Sequence, residues 1–192
     1  MNAPYLYPKK PLTITSTNRA FSFPKERLSH AECIAKLKVL TNPRYKAETG
    51  LTYCNIAAHD FATLYGVYIP RVWWVDKAIR DKEYRIMYGT TVKELNANSL
   101  VQWMKTYGQE FGWTRSTIAD AQSHVNAGGF ATIIADRKDR GRSGHITVII
   151  PGEIKDGGPH QWQAGSQNSE SGHSKWYQSP IYLSWNVWIC NR

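Results

Sequence analysis

The sequence predicts an α+β fold in which N-terminal helices pack on a C-terminal antiparallel sheet. Before about residue 127 the apolar residues recur at helical spacing behind recognisable N-caps, whereas from Phe130 onward they alternate in short strand-like runs. The segments between those runs, such as residues 151–160 (PGEIKDGGPH), are rich in turn residues and too short for crossover helices, so neighbouring strands must run antiparallel.

In chain order, residues 1–25 carry Pro4, Pro8, Pro11 and Pro24 without periodicity and read as an extended arm around the domain. Ser29 followed by Glu32 is a capping-box pattern, and Ile34, Leu37 and Leu40 then share a face, predicting a first helix over residues 29–40 that stops before Asn42-Pro43. Thr52 is the expected cap of a second helix, whose inward stripe runs through Cys54, Ala57, Phe61, Leu64 and Tyr65 and whose stop is Gly66. Residues 67–93 mix Trp73, Trp74, Tyr84 and Tyr88 with alternating charge and read as an insertion with some helix that lines the groove. Ser99 with Gln102 predicts a helix ending at Gly108, and Thr117 with Asp120 another along Ile118, Ala121 and Val125, ended by Gly128-Gly129. The strand-like runs are FATIIAD (130–136), HITVII (145–150), QWQAG (161–165) and IYLSWNVWI (181–189), with the polar stretch 165–174 read as a loop.

The 192 residues suit one domain, 1–192, with 42% hydrophobic and 20% charged residues. No stretch approaches the ~20 apolar residues of a membrane span, so a soluble protein without a transmembrane segment is expected. The two lysines near the start precede no apolar core, so no classical signal peptide is expected. A net charge of +9 points to a polyanionic partner. Nucleic acid is disfavoured, because zinc-finger spacing, aromatic RNP-like motifs and a long basic helix are all missing. Three cysteines, Cys33, Cys54 and Cys190, allow at most one disulfide.

Cys54 opens a helix, where unpaired backbone N–H groups and the helix dipole favour thiolate over thiol. His145 begins a strand directly after a polar, glycine-bearing loop, at a sheet edge from which its ring can reach a helix N-terminus and act as a base. On the next strand Gln161 and Gln163 share a face, and either can orient the imidazole. Other chemistries fit less well. Cys54 and His59 lie roughly 140° apart on their helix, which makes no metal pair, and neither a metal nor a cofactor is expected. Glu48, Asp60 and Glu94 show no spacing that would pair two carboxylates for glycoside hydrolysis. Trp73, Trp74, Trp103 and Trp162 are candidate groove aromatics, and Arg137, Lys138, Arg140 and Arg142 beside His145 are candidates to attract an acidic peptide.

The strings TYCNIAAHDFATLYGV, SGHITVIIPG and QWQAGSQN resemble the papain-like cysteine amidohydrolases, which include the NlpC-type and CHAP cell-wall hydrolases: cysteine at a helix start, histidine beginning a strand, a polar residue on the following strand. In the NlpC-type pattern the third residue precedes a small Ala-Gly pair, which maps onto Gln163, although glutamine departs from the more usual histidine. A narrower resemblance covers about residues 30–170. It is to single-domain phage and bacterial proteins that add NPRY (42–45), ELNAN (94–98) and FGW (111–113). The resemblance implies Cys54, His145 and Gln163 as catalytic residues. Tyr53, Asn55, Asn96, Asn98, Trp73 and Gln161 are the candidate substrate contacts. It also implies a peptidoglycan hydrolase, an endopeptidase or amidase, that needs no cofactor. Such an enzyme reaches the cell wall through a holin or a secretion system, as a phage lysis enzyme or as an antibacterial effector with a cognate immunity protein. A deamidase or transglutaminase-like toxin on the same cysteine–histidine pair, and a non-catalytic basic cell-wall-binding module, are the alternative readings.

Overall fold

The computed structural model describes residues 26–191; the arm expected over residues 1–25 lies outside them. The described chain is α+β. In order it forms α1 (His30–Leu37), α2 (Cys54–Tyr65), β1 (Val72–Trp74), α3 (Asp76–Asp81), β2 (Val92–Glu94), α4 (Ala97–Tyr107), β3 (Trp113–Ser116) and α5 (Ile118–Asn126). The strands β4 (Phe130–Arg137), β5 (His145–Ile149), β6 (Gln161–Gln163), β7 (Ser169–Gly172) and β8 (Tyr182–Cys190) follow. Strands β3 to β8 make one sheet of order β3-β8-β4-β5-β6-β7, antiparallel at every pairing, while β1 and β2 pair by themselves.

Strand alternation gives the sheet two buried faces. Phe130, Ile134, Ile146, Val148, Trp162 and Trp188 pack with residues of α1, α2 and α4, whereas Ala131, Ile133, Ile149 and Val187 pack with Ala121 and Val125 of α5. Helices therefore cover both faces, not one.

Several expected boundaries move. The first helix has its capping box from Ser29 and Glu32 but ends at Leu37, where Lys38 turns left-handed and the Asn42 side chain donates to the Leu37 carbonyl at 3.0 Å. Leu40 is consequently outside the helix and 60% exposed. Tyr53, not Thr52, is the residue before α2, and its side chain makes no capping bond. Asn96 caps α4 by accepting from the Ser99 N–H at 3.0 Å, which moves the start of that helix ahead of the expected Ser99. Residues 67–93 hold a two-stranded ribbon and the short α3, and they bury Val72, Trp73 and Trp74 in the core. Besides the β1–β2 ribbon, two strands of the large sheet were not expected from the sequence: β3 and β7 are the polar sheet edges WTRS and SESG, which lack an apolar alternation to mark them. β7 lies within the stretch 165–174 read as a loop. The sheet is also not a simple meander, because the long β8 lies between β3 and β4.

Helix α2 is buried along nearly its whole circumference, including Asp60 at 0% exposure. Its alanines, Ala57, Ala58 and Ala62, let it approach its neighbours closely, and Phe61 meets Trp162 edge-on at 5.0 Å between centroids. The NPRY segment neutralises Asp60. Arg44 donates from Nε to Oδ2 at 2.6 Å and from Nη2 to Oδ1 at 3.0 Å, and the Tyr45 hydroxyl donates to Oδ2 at 2.8 Å. Asn42 caps the 3-10 turn Pro43–Tyr45 that presents both side chains. Elsewhere along α2, Asn55 Nδ2 donates to the Leu95 carbonyl at 2.7 Å and the Tyr65 hydroxyl to the Gly128 carbonyl at 2.5 Å.

Removing one partner of a buried ion pair leaves the other charge without compensation. Asp60→Ala should therefore destabilise the protein by about 3–5 kcal/mol, seen as a fall in the urea midpoint without loss of secondary structure at zero denaturant.

Candidate active site

The nucleophile candidate is the first residue of α2 and the base candidate is the first residue of β5. The packing of that helix against that strand brings their side chains together. Cys54 is 2% exposed and unpaired by disulfide. The groups that act on its thiol are the His145 imidazole and the backbone N–H groups of Ile146 and Asn55. His145 Nε2 lies 2.8 Å from Gln163 Oε1. Since an amide oxygen only accepts, Nε2 carries the proton in that bond, and Nδ1 is the nitrogen left for the thiol.

These contacts shift both titrations. Burial works against a charged sulfur, yet the His145 charge and hydrogen bond, with the two backbone donors, hold the Cys54 thiol below its ordinary value. Burial likewise works against an imidazolium, but the hydrogen bond to Cys54, the thiolate charge and the bond to Gln163 hold His145 above its ordinary value. The two titrations are displaced toward each other, the direction that favours a thiolate beside an imidazolium. Cys33 provides an internal contrast. It is equally buried, but it has no base, and burial and the Glu32 charge push it up to about 12 against the opposing pull of Arg27.

Two glycines make room for this arrangement. A Cβ on Gly144 would lie 1.9 Å from the Ala135 carbonyl oxygen and 2.7 Å from Asn98 Oδ1, so the chain entering His145 passes too close to β4 for any side chain. A Cβ on Gly165 would come within 3.0 Å of His145 Cε1.

The remaining candidate residues fall into distinct places. Asn96 and Asn98 both hold the frame of the site. Asn96 caps α4, while Asn98 accepts from the Arg137 N–H at 2.9 Å and donates to the Arg142 carbonyl at 3.0 Å, gathering both ends of the loop that delivers His145. Ser143 in the same loop accepts from the Ala97 N–H at 3.3 Å. Asn55 contributes its backbone N–H to the sulfur, while its side chain is committed to Leu95. Trp73 is 3% exposed and packed against Trp103, Tyr107 and Phe111, so no ring face is left for a substrate; Trp74, Trp103 and Trp162 are likewise core. Tyr53 is partly buried beside Cys54 and packs on the core. Gln161 is buried, and its Oε1 accepts from the Thr147 hydroxyl at 2.8 Å and from Trp176 Nε1 at 2.9 Å, while Nε2 donates to the Ser174 carbonyl at 2.6 Å. In the loop 137–142, Arg140 pairs with Asp136 at 2.7 Å and Arg142 approaches Asp139 at 3.7 Å, so two of its four cations have a carboxylate beside them.

Sequence reading missed Trp176 and Tyr182. The Trp176 ring stands edge-to-face on His145 at 4.6 Å between centroids, and Tyr182 meets Trp176 at 5.4 Å, so the pair walls one side of the imidazole. Neither position carries a local signal, because Trp176 sits in a 3-10 turn that only the folding of β7 and β8 places there. Among the described residues, no group of three or more His, Cys, Asp or Glu side chains is disposed to hold a metal ion, and no helix is long and apolar enough to cross a membrane. The chain matches no protein-family model and no curated protein.

Iodoacetamide should label Cys54 with an apparent pKa below the ordinary thiol value of 9.0, and Cys33 should stay unmodified. His145→Ala removes the two largest influences that oppose burial and leaves only the backbone N–H groups of Ile146 and Asn55, so the labelling limb should move to higher pH. Mass-resolved alkylation rates across pH 5–10 read both shifts.

Proposed function

We propose that the protein is a papain-like cysteine amidohydrolase that cleaves an amide bond in the peptide part of bacterial peptidoglycan. The observation that carries this reading is the Cys54–His145–Gln163 chain, in which a thiol, an imidazole and an amide bonded to that imidazole lie on α2, β5 and β6. Its support is the opposite displacement of the cysteine and histidine titrations, which a buried packing thiol such as Cys33 does not share. The net charge of +9 and the NPRY, ELNAN and FGW strings support the acidic bacterial envelope as the place of action. Delivery by a holin or a secretion system, as a phage lysis enzyme or as an effector with its immunity protein, belongs to the same reading.

In the proposed reaction the Cys54 sulfur attacks the amide carbonyl carbon, a C–S bond forms, and the carbonyl oxygen takes the negative charge. The Cys54 N–H, which has no intrahelical acceptor at the first position of α2, is placed to donate to that oxygen. As the C–N bond breaks, His145 gives its Nδ1 proton to the leaving amine. Water then loses a proton to the same nitrogen and attacks the thioester, and the C–S bond breaks to release the acid. Gln163 holds the ring by Nε2 throughout, so Nδ1 stays aimed at the reacting atoms.

Purified sacculi should be digested by the intact protein, with fragment masses that identify the cut bond, and left undigested by Cys54→Ala. Equal behaviour of the two proteins would sink the reading. The activity should follow a bell in pH. Cys54, shifted down, sets an acid limb below 9.0 and His145, shifted up, sets an alkaline limb above 6.5. Gln163→Ala should lower kcat by roughly tenfold or more, within the ~10²–10⁴-fold worth of a positioned acid–base group. It should also bring the alkaline limb down, because one of the interactions that raises His145 is gone.

A further inference from the structure

A groove of about 720 Å³ runs between residues 40–47 and residues 165–168, with Leu40, Pro43, Lys46, Gly165, Ser166 and Asn168 among its lining. That volume is within the ~300–1,000 Å³ typical of ligand sites. Its walls are tied together by one side chain: Asn168 Nδ2 donates to the Val39 carbonyl at 2.8 Å and the Tyr45 carbonyl at 3.2 Å, while its Oδ1 accepts from the Gly165 N–H at 3.0 Å. The groove is thus held open before any ligand arrives. Gly165 also connects it to the site, because the space a Cβ would fill there lies 3.0 Å from His145 Cε1. A chain bound across Cys54 and His145 therefore has this groove as a continuation.

Its chemistry is specific. The Asn42 amide on its wall is already committed, donating to Leu37 and accepting from the Arg44 N–H. Among the described residues, Lys46 is exposed and is the only ionisable one of the lining, and Leu40, 60% exposed, supplies an aliphatic surface beside it. In the loop 137–142, by contrast, Arg140 is paired with Asp136 of β4 and Arg142 approaches Asp139. We propose that this groove is a subsite for an extended peptide segment that carries a free carboxylate next to a small aliphatic residue, with the Lys46 ammonium as the counter-ion. The assignment rests on the amidohydrolase reading above and names the part of the substrate that selects this face.

The test compares digestion rates on native sacculi and on sacculi whose carboxyl groups have been converted to amides. Lys46→Glu should slow digestion of native sacculi about fivefold, the scale of an exposed ion pair, and should match the unmodified protein on amidated sacculi. Iodoacetamide labelling of Cys54 should be the same in both proteins, since Lys46 is outside the cysteine–histidine pair. A slowing by Lys46→Glu that is equal on both substrates, or absent, overturns the proposal. If the unmodified protein digests neither substrate, the amidohydrolase reading fails, and the groove is judged by NMR titration of Cys54→Ala with N-acetyl-alanyl-glutamate and its diamide. Shifts at 40–47 and 165–168 with the acid alone uphold the groove. Their absence, or equal shifts with the diamide, overturns it.

Discussion

Asp60 has no exposed surface, and it sits in the middle of the helix that carries Cys54. A bare carboxylate there would oppose folding by several kcal/mol, so α2 can occupy the centre of the protein only with Arg44 and Tyr45 bonded to that carboxylate. The 3-10 turn after α1 exists to present those two side chains, and it also forms one wall of the groove beside the site. A single buried ion pair thereby sets the depth of α2, the position of its first residue and the shape of the surface next to it.

The same low-dielectric setting makes the cysteine–histidine pair informative. In water an isolated thiol and imidazole would influence each other weakly, whereas inside the protein their mutual interaction and the groups bonded to each outweigh the cost of burial and displace the two titrations in opposite directions. Geometry is maintained by groups that never touch the sulfur. Asn98 gathers the loop before His145, Gln161 holds Trp176, and Trp176 closes on the imidazole ring. Loss of any of these would loosen the pair without removing the thiol or the imidazole.

Local chemistry was legible where the sequence carries it locally. The Ser29–Glu32 box, the Thr117 cap and the Gly66 stop are satisfied within a few residues, and so they read directly. The start of α4 was misplaced because Asn96 and Ser99 are both competent caps, and the bond that forms is the earlier one. Trp73 and its neighbours read as groove aromatics because composition does not say which way a tryptophan faces; the aromatic cluster around α4 takes up their rings. The edge strands β3 and β7 went unseen for a related reason, since polar edges carry little of the alternation by which a strand is recognised.

Sequence by itself determined the α+β class, the placement of Cys54 at a helix start and of His145 at a strand start, and the pairing of Gln161 and Gln163 on one face, because these depend on caps, turns and the period of the chain. Tertiary structure decided which glutamine meets the imidazole: Gln163 does, while Thr147, Trp176 and Ser174 take up Gln161. It also decided that the ELNAN asparagines frame the site and that Lys46, from a segment with no catalytic signature, faces the groove leading to it. Those outcomes depend on contacts between residues far apart in the chain, which no local pattern encodes.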